Sequence, residues 1–481
     1  MAKTSHRSLT ERWVITGTLV LETPAHFGNG DADPLTDMPL LFNEVDGHPL
    51  LPGTSIAGAL RNYLRERELG YGKKDSGTTF ASKLFGTARE DESETGAQSP
   101  LIVNDAIGKS EGIELRDGVA IDEKTRTAED NKKFDMQLLA AGSTFPLRFE
   151  LLVSEDDNSK QLRNFLVTAL HGLQNREITL GARKRRGFGQ VTVKNWQVFK
   201  YDLATKEGLL GWLGSEHNDL RTPKAQAGND LPSMLEAQAL PDADGKRNKA
   251  RLTATFKLDG TLMIRSGFGS SDTSSDMVHI HSKRPKSKDA LPVLPGTSLA
   301  GALRKRALKI VRTVSGNTSG KSNPFVDALF GPSEVTAGEK DTKASRVYVR
   351  ETEIEKSTSL VITRVKIDRF TGGSYESALF SEEPAIGTPE TRLTLDLDLR
   401  DPKESELGLM LLLLKDLWTG DLPIGGESGI GRGRLSGVEA TLEAPQGTWV
   451  FKANGENVQV TPNADELEKW VKAFNAEVQE G

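Results

Sequence analysis

The chain has 481 residues and no cysteine, with 62 lysines and arginines against 68 aspartates and glutamates for a formal net charge of −6. The lack of cysteine excludes disulfides, thiolate zinc sites, iron–sulfur clusters and a cysteine nucleophile, and no apolar run approaches the roughly 20 residues that span a bilayer. Hydrophobic residues at 36% and charged residues at 27% predict a globular cytoplasmic protein, of about three units by length, and the mild acidity taken alone argues against a nucleic-acid partner.

From Trp13 to Leu21 apolar and β-branched residues alternate, which predicts a strand. A glycine-rich turn follows at Gly28-Asn29-Gly30. Leu51-Pro52-Gly53-Thr54-Ser55 then opens a helix, with Ile56, Leu60 and Leu64 on one face and Thr54 or Ser55 as its cap. Leu84-Phe85-Gly86 and Val119-Ala120-Ile121-Asp122 come next, then a strand over Phe145 to Val153, a helix over Lys160 to Leu173, and a loop punctuated by Gly181, Gly187 and Gly189.

The same order then begins again. Leu252 to Ile264 predicts a strand, and Leu294-Pro295-Gly296-Thr297-Ser298 opens a helix whose sequence through Arg304 differs from the first only at Leu299. Leu329-Phe330-Gly331, Val365-Lys366-Ile367-Asp368, a strand over Thr391 to Leu399, a helix over Glu404 to Leu417, and Gly425, Gly431 and Gly433 complete the series. A whole domain is duplicated, the first copy over residues 12–201 and the second over 249–444. Residues 202–248 carry Pro223, Pro232 and Pro241 and read as a linker. In residues 445–481, Asn463 and Glu466 form a capping-box signal, and Leu467, Trp470, Val471, Phe474 and Val478 fall at helical spacing. The fold class is α+β, an open sheet of ferredoxin or RRM type in each half, with a strand order that periodicity leaves open.

The stretch Gly316 to Ser322 imitates a phosphate-binding loop but is one residue short between its glycines and follows a helical pattern, so it reads as a loop. What recurs is basic and glycine-rich. Each Gly-Thr-Ser helix start, with Thr54, Ser55, Thr297 and Ser298, offers N–H groups to an anion, and Arg61 and Arg304 lie two turns further on. Arg183, Lys184, Arg185 and Arg186 precede Phe188, with Arg432 and Arg434 as thinner counterparts, and Lys283 and Arg284 begin another basic loop. With aromatic residues at only 6%, this set fits tracking of a phosphate backbone better than base stacking.

The order of these motifs, found twice, resembles the RAMP superfamily of CRISPR proteins, and more narrowly two fused backbone subunits of a type III (Csm/Cmr-like, III-D-like) effector complex. The resemblance implies RRM-like cores with protruding thumbs, packed side by side along a guide RNA (crRNA) whose target RNA is cut by successive subunits. It also implies other type III effector subunits as partners and no membrane. In such subunits an aspartate between the glycine-rich turn and the Leu-Pro-Gly helix cuts the target, which carries over to Asp37 and Asp276 as catalytic and metal-holding residues for a divalent ion, magnesium. Asp31, Asp33 and Asp272 are the rival carboxylates. RNA supplies its own 2′-OH nucleophile, so positioning and one carboxylate are sufficient machinery. His26 is a candidate RNA contact, with Gly267 in its place in the second copy, and Arg369 lies in the second thumb, whose glycine pair the first lacks. Two other readings are a non-catalytic RNA-binding scaffold and a guide-processing endoribonuclease using His26.

Overall fold

Burial alternates residue by residue from Ile15 to Leu21 within the strand Leu9–Leu21 (β1), so one face of the strand enters a core. In this computed structural model the described residues are 8–30, 36–75, 77–87, 96–122, 125, 127–215, 225–242, 246–265, 275–285, 287–317, 322–332, 343–455 and 457–480. The helix Gly53–Leu69 (α1) buries the expected Ile56, Leu60 and Leu64. Each such side chain removed from water contributes roughly 2 kcal/mol. The strands Leu101–Val103 (β2), Thr144–Ser154 (β3) and Val191–Asp202 (β4) join β1 in the antiparallel order β2-β3-β1-β4, and the helix Ser159–Gln174 (α2) links β3 to β4. This is the ferredoxin-like arrangement, with Trp13, Leu60, Phe149 and Phe165 meeting in one core.

The second copy repeats it. Lys249–Asp259 (β5), helix Gly296–Ser315 (α3), Val347–Val349 (β6), Leu393–Arg400 (β7), helix Glu404–Trp418 (α4) and Arg434–Ala444 (β8) give the sheet order β6-β7-β5-β8. Gly447–Asn454 and Asn457–Thr461 extend that sheet beyond β8. Each domain also projects a hairpin away from its sheet. The first pairs Ile113–Ile121 with Ala128–Leu139, the second Ile362–Ile367 with Ser374–Glu383, and at the second tip Phe370 is 98% exposed. Among the described residues no helix is long and apolar enough to cross a membrane.

Four local expectations are corrected. The strand begun at Lys249 stops at Asp259, because Gly260 turns the chain with φ +76° before Thr261–Leu262. Pro52 and Pro295, not a hydroxyl, precede α1 and α3, and neither helix has a side-chain cap from its own start. The Gly53 N–H instead donates to Oδ1 of Asp105 at 2.6 Å, so the chain's own carboxylate occupies the first helix's anion site. Asp105→Ala should therefore cost about 1 kcal/mol, the usual loss of a cap, measurable by denaturant unfolding. The linker folds back onto the first domain: Gln226–Gly228 pairs with β4, and Leu231, Met234 and Leu235 enter its core. Pro232 stands in the first turn of the short helix Leu231–Met234, and Pro223 lies outside the described residues. Finally, the C-terminal helix Asp465–Glu480 starts two residues past Asn463, and buries Leu467, Trp470, Phe474 and Val478 against the second domain. Gly408 on α4 permits the approach, since a Cβ there would lie 2.2 Å from the Trp470 carbonyl oxygen.

Candidate nucleic-acid interface

Asp37 lies on the loop before α1, beside Asp135 on the descending strand of the first hairpin. The two are latched reciprocally. The Asp37 N–H donates to Oδ1 of Asp135 at 2.8 Å, and the Asp135 N–H donates to Oδ2 of Asp37 at 2.9 Å. In the second copy the Asp276 N–H donates to Oγ of Ser381 at 2.9 Å, and the Ser381 N–H donates to Oδ2 of Asp276 at 2.7 Å. The following residues pair in parallel both times, Met38 with Met136 and Met277 with Glu382. Asp37 and Asp276 thus occupy one position of the fold, although the loops that carry them differ in sequence. Both are exposed. The backbone and hydroxyl of Ser381 hold the Asp276 carboxyl below the usual aspartate range. Asp31, Asp33, Asp272 and Gly267 lie outside the described residues.

What supports this position differs between the copies. Beneath Asp37, Met38, Met136, Leu138 and Phe188 form an apolar cluster. Behind Asp276, Arg432 donates to buried Glu382 at 2.8 Å and pairs with Glu427 at 2.6 Å, and Arg364 reaches both acids. Phe188 and Arg432 follow the first glycine of equivalent Gly-x-Gly loops, and both are buried. Their expected RNA contacts give way to packing and ion pairing. His26 is also internal, 4% exposed, with Nδ1 donating to the Gln137 carbonyl at 2.8 Å, so it pins the glycine-rich turn to the hairpin. In the second copy His279, which the sequence did not single out, bonds the Ile264 N–H at 3.1 Å and the Val293 carbonyl at 3.0 Å. Burial pushes its pKa down to about 4, so it stays neutral.

The cations divide into two groups. Arg61 pairs with Asp75, and Arg304 with Asp327 and the Gly331 carbonyl, so both brace the helix that follows their own. Lys283 pairs with Glu111 at 2.9 Å across the joint between the domains, and Arg284 with Glu351 at 2.9 Å on the second domain's side of it. Glu351 is shared with Arg116 of the first hairpin at 3.1 Å, and Arg116 also holds Glu114 at 2.8 Å. The run Arg183 to Arg186 meets the same joint, and among the described residues the three arginines rest on neutral groups. Arg183 lies 4.3 Å over the Phe134 ring, and Nε of Arg185 donates to the Tyr348 hydroxyl at 3.1 Å. Arg186 donates to Oγ of Ser345 at 3.5 Å and to the carbonyls of Val347 and Phe330, each at 3.3 Å. All three partners are neutral. Burial, reinforced by Arg304, Arg185 and Arg183, holds the Arg186 pKa down to about 10, and burial with Arg185 lowers that of Lys184. Arg183 and Lys184 are exposed and Arg185 and Arg186 half-buried, so the run is a partly desolvated concentration of positive charge that stays open to an anion at its first two members. Arg369, Arg434, Thr54 and Ser55 are exposed, and Thr297 and Ser298 half-buried.

The structure thus has two aspartates at one repeated position and a projecting hairpin in each domain, and it places the basic loop at a head-to-tail joint that the sequence did not indicate. Two similar proteins each cover about two-fifths of this chain. A Streptococcus thermophilus protein named CRISPR system Cms endoribonuclease Csm3 is 28% identical over 208 residues, covering 40% of this chain and 92% of its own length. Its namesake from Methanothermobacter thermautotrophicus is 27% identical over 227 residues, covering 42% of this chain and 91% of its own. The family model of the RAMP superfamily matches residues 18–192 and again 256–436, one match per ferredoxin-like domain, and the chain accordingly belongs to the RAMP superfamily as two RAMP domains in tandem.

Proposed function

We propose that the chain is a double backbone subunit of a cytoplasmic type III CRISPR ribonucleoprotein, which holds crRNA and cuts complementary target RNA at two sites, with Asp37 acting at one and Asp276 at the other. The observation that carries this reading is the repeated latch, which holds one oxygen of each exposed aspartate against a hairpin strand and leaves the rest of the carboxylate to the RNA side. The endoribonuclease names of the two relatives support it. His26 is buried, which disfavours the guide-processing alternative that would use it.

A divalent ion, magnesium, fits this reading. Among the described residues no three histidine, aspartate or glutamate side chains converge as a ready-made metal cage. Magnesium commonly binds through one or two carboxylates together with water and phosphate oxygens. Asp37, oriented by Asp135, would supply one at the first site, and Asp276, oriented by Ser381, one at the second. A bound ion would offset charge building on the scissile phosphate. The chain's own task is placement: the latches orient the carboxylates, and the cations Arg183 and Lys184 neutralise backbone phosphates beside them.

The reading is tested on target RNA cut by the assembled complex. Asp37→Ala and Asp276→Ala should each remove a different fragment boundary, and the double variant should remove both while still binding target. Unchanged fragments in the double variant would leave the non-catalytic scaffold as the correct description.

A further inference from the structure

The two latches align the hairpins residue by residue. Asp135, which holds Asp37, lies opposite Asp117, and Lys133, two residues nearer the tip, lies opposite Val119. Ser381, which holds Asp276, lies opposite Thr363, and Leu379, two residues nearer the tip, lies opposite Val365. Side chains alternate along a strand, so each set of four stands on the face of its hairpin that meets the aspartate. The sets correspond one to one, yet three members change character. Asp135, Asp117 and Lys133 of the first hairpin are Ser381, Thr363 and Leu379 in the second.

The lysine is anchored at its foot and open at its side. Its Nζ pairs with Oδ2 of Asp117 at 3.3 Å along a diagonal of the ladder, and the Asp117 side chain is 17% exposed against 67% for Lys133. An ammonium has three donors, so one carboxylate does not exhaust it. Two residues along a strand span roughly 6.5 Å, so an RNA strand lying against the Asp37 carboxylate passes within reach of this group. The first face also carries two carboxylates that the second lacks, Asp117 and Asp135, and these repel a phosphate. A cation on the same face offsets that repulsion.

The second face presents an apolar pair at these positions, with Val365 44% and Leu379 68% exposed. Two cations of that hairpin are engaged away from it. Arg364 pairs with Glu382 and Glu427, and Nζ of Lys366 lies 4.5 Å over the Tyr375 ring, past Val365 where the ladder loses its regular register.

We infer that Lys133 is a phosphate-positioning residue of the first site alone: its ammonium, anchored by Asp117, holds a target-strand phosphate next to the one cut at Asp37. At the second site the strand meets Val365 and Leu379 instead. The inference rests on the proposed cleavage at the two aspartates.

Single phosphates flanking the first cut are replaced in turn by neutral methylphosphonates in target RNA given to the assembled complex, and the second cut in the same molecule serves as control. Lys133→Leu, and Lys133→Gln as a second neutral variant, should slow the first cut about tenfold, the scale of a lost charge-assisted hydrogen bond, and leave the second unchanged. Lys133→Arg should keep the first cut near the wild-type rate. One methylphosphonate position should slow the wild-type first cut by a similar factor and slow Lys133→Leu no further, a coupling that a merely structural role would not produce. In Leu379→Lys, the second cut should become sensitive to a methylphosphonate at the equivalent position. An unchanged first cut in both neutral variants, or losses that simply multiply at every phosphate, overturns the inference. First-site cutting that persists in Asp37→Ala overturns the underlying reading, and the inference with it.

Discussion

Asp37→Ala should lower target cleavage at the first site by ~10²-fold or more, the scale of losing a positioned proton-transfer or metal-holding group, and leave the second cut in place. The independence follows from the structure, since each aspartate is latched to its own domain's hairpin. Asp135→Ala removes the acceptor for the Asp37 N–H while its backbone N–H still holds the Asp37 carboxylate. It should cost the first cut about 10-fold, the lower end for a residue that orients a ligand, with no change at the second. At the second site the bonds from Ser381 keep Asp276 ionised further into acid than an ordinary aspartate. Ser381→Ala removes the hydroxyl and should move the acid limb of second-site cleavage to higher pH. Fragment yields measured against pH and magnesium concentration separate these outcomes from general unfolding, which would abolish both cuts together.

Glu351→Ala should be the most damaging single change to stability, at about 3–5 kcal/mol, because it strips a shared carboxylate from the buried guanidinium of Arg116 and from Arg284. The loss should appear in denaturant unfolding as separated transitions for the two domains. The same network predicts an acid dependence. Burial alone would raise the Glu351 pKa, but Arg116 and Arg284 outweigh it and hold the carboxyl below its ordinary value. A depressed folded-state pKa contributes stability that is complete above the ordinary glutamate range and is lost as pH falls through the folded value. Acidification below that range should therefore loosen the joint in the wild-type chain, and the Glu351→Ala variant should lack this component.

The duplication was legible because whole motifs recur in order, and the ferredoxin-like strand order follows once two helices must cover one face of each sheet. The aspartates were legible as loop positions ahead of the Leu-Pro-Gly helix. Their latches were not, since Asp135 and Ser381 lie about a hundred residues away and nothing in an aspartate or a serine announces that its backbone will be shared. The cations were misjudged as a set for a similar reason: Arg284 and Lys283 look solvated in sequence, and their acids stand on other elements. Phe188 and Arg432 share a buried position, yet one packs among methionines and the other needs Glu382 and Glu427, so residue type alone could not reveal their common role.

The docked linker and the ion-paired joint have a geometric consequence. With Gln226–Gly228 sewn into one sheet and Glu351 tying the first hairpin to the other domain, the separation between Asp37 and Asp276 is fixed by protein packing. The pair then works as a gauge. The piece of target released between the two cuts should have one length whatever its base sequence, and that length should blur only when the joint itself is weakened.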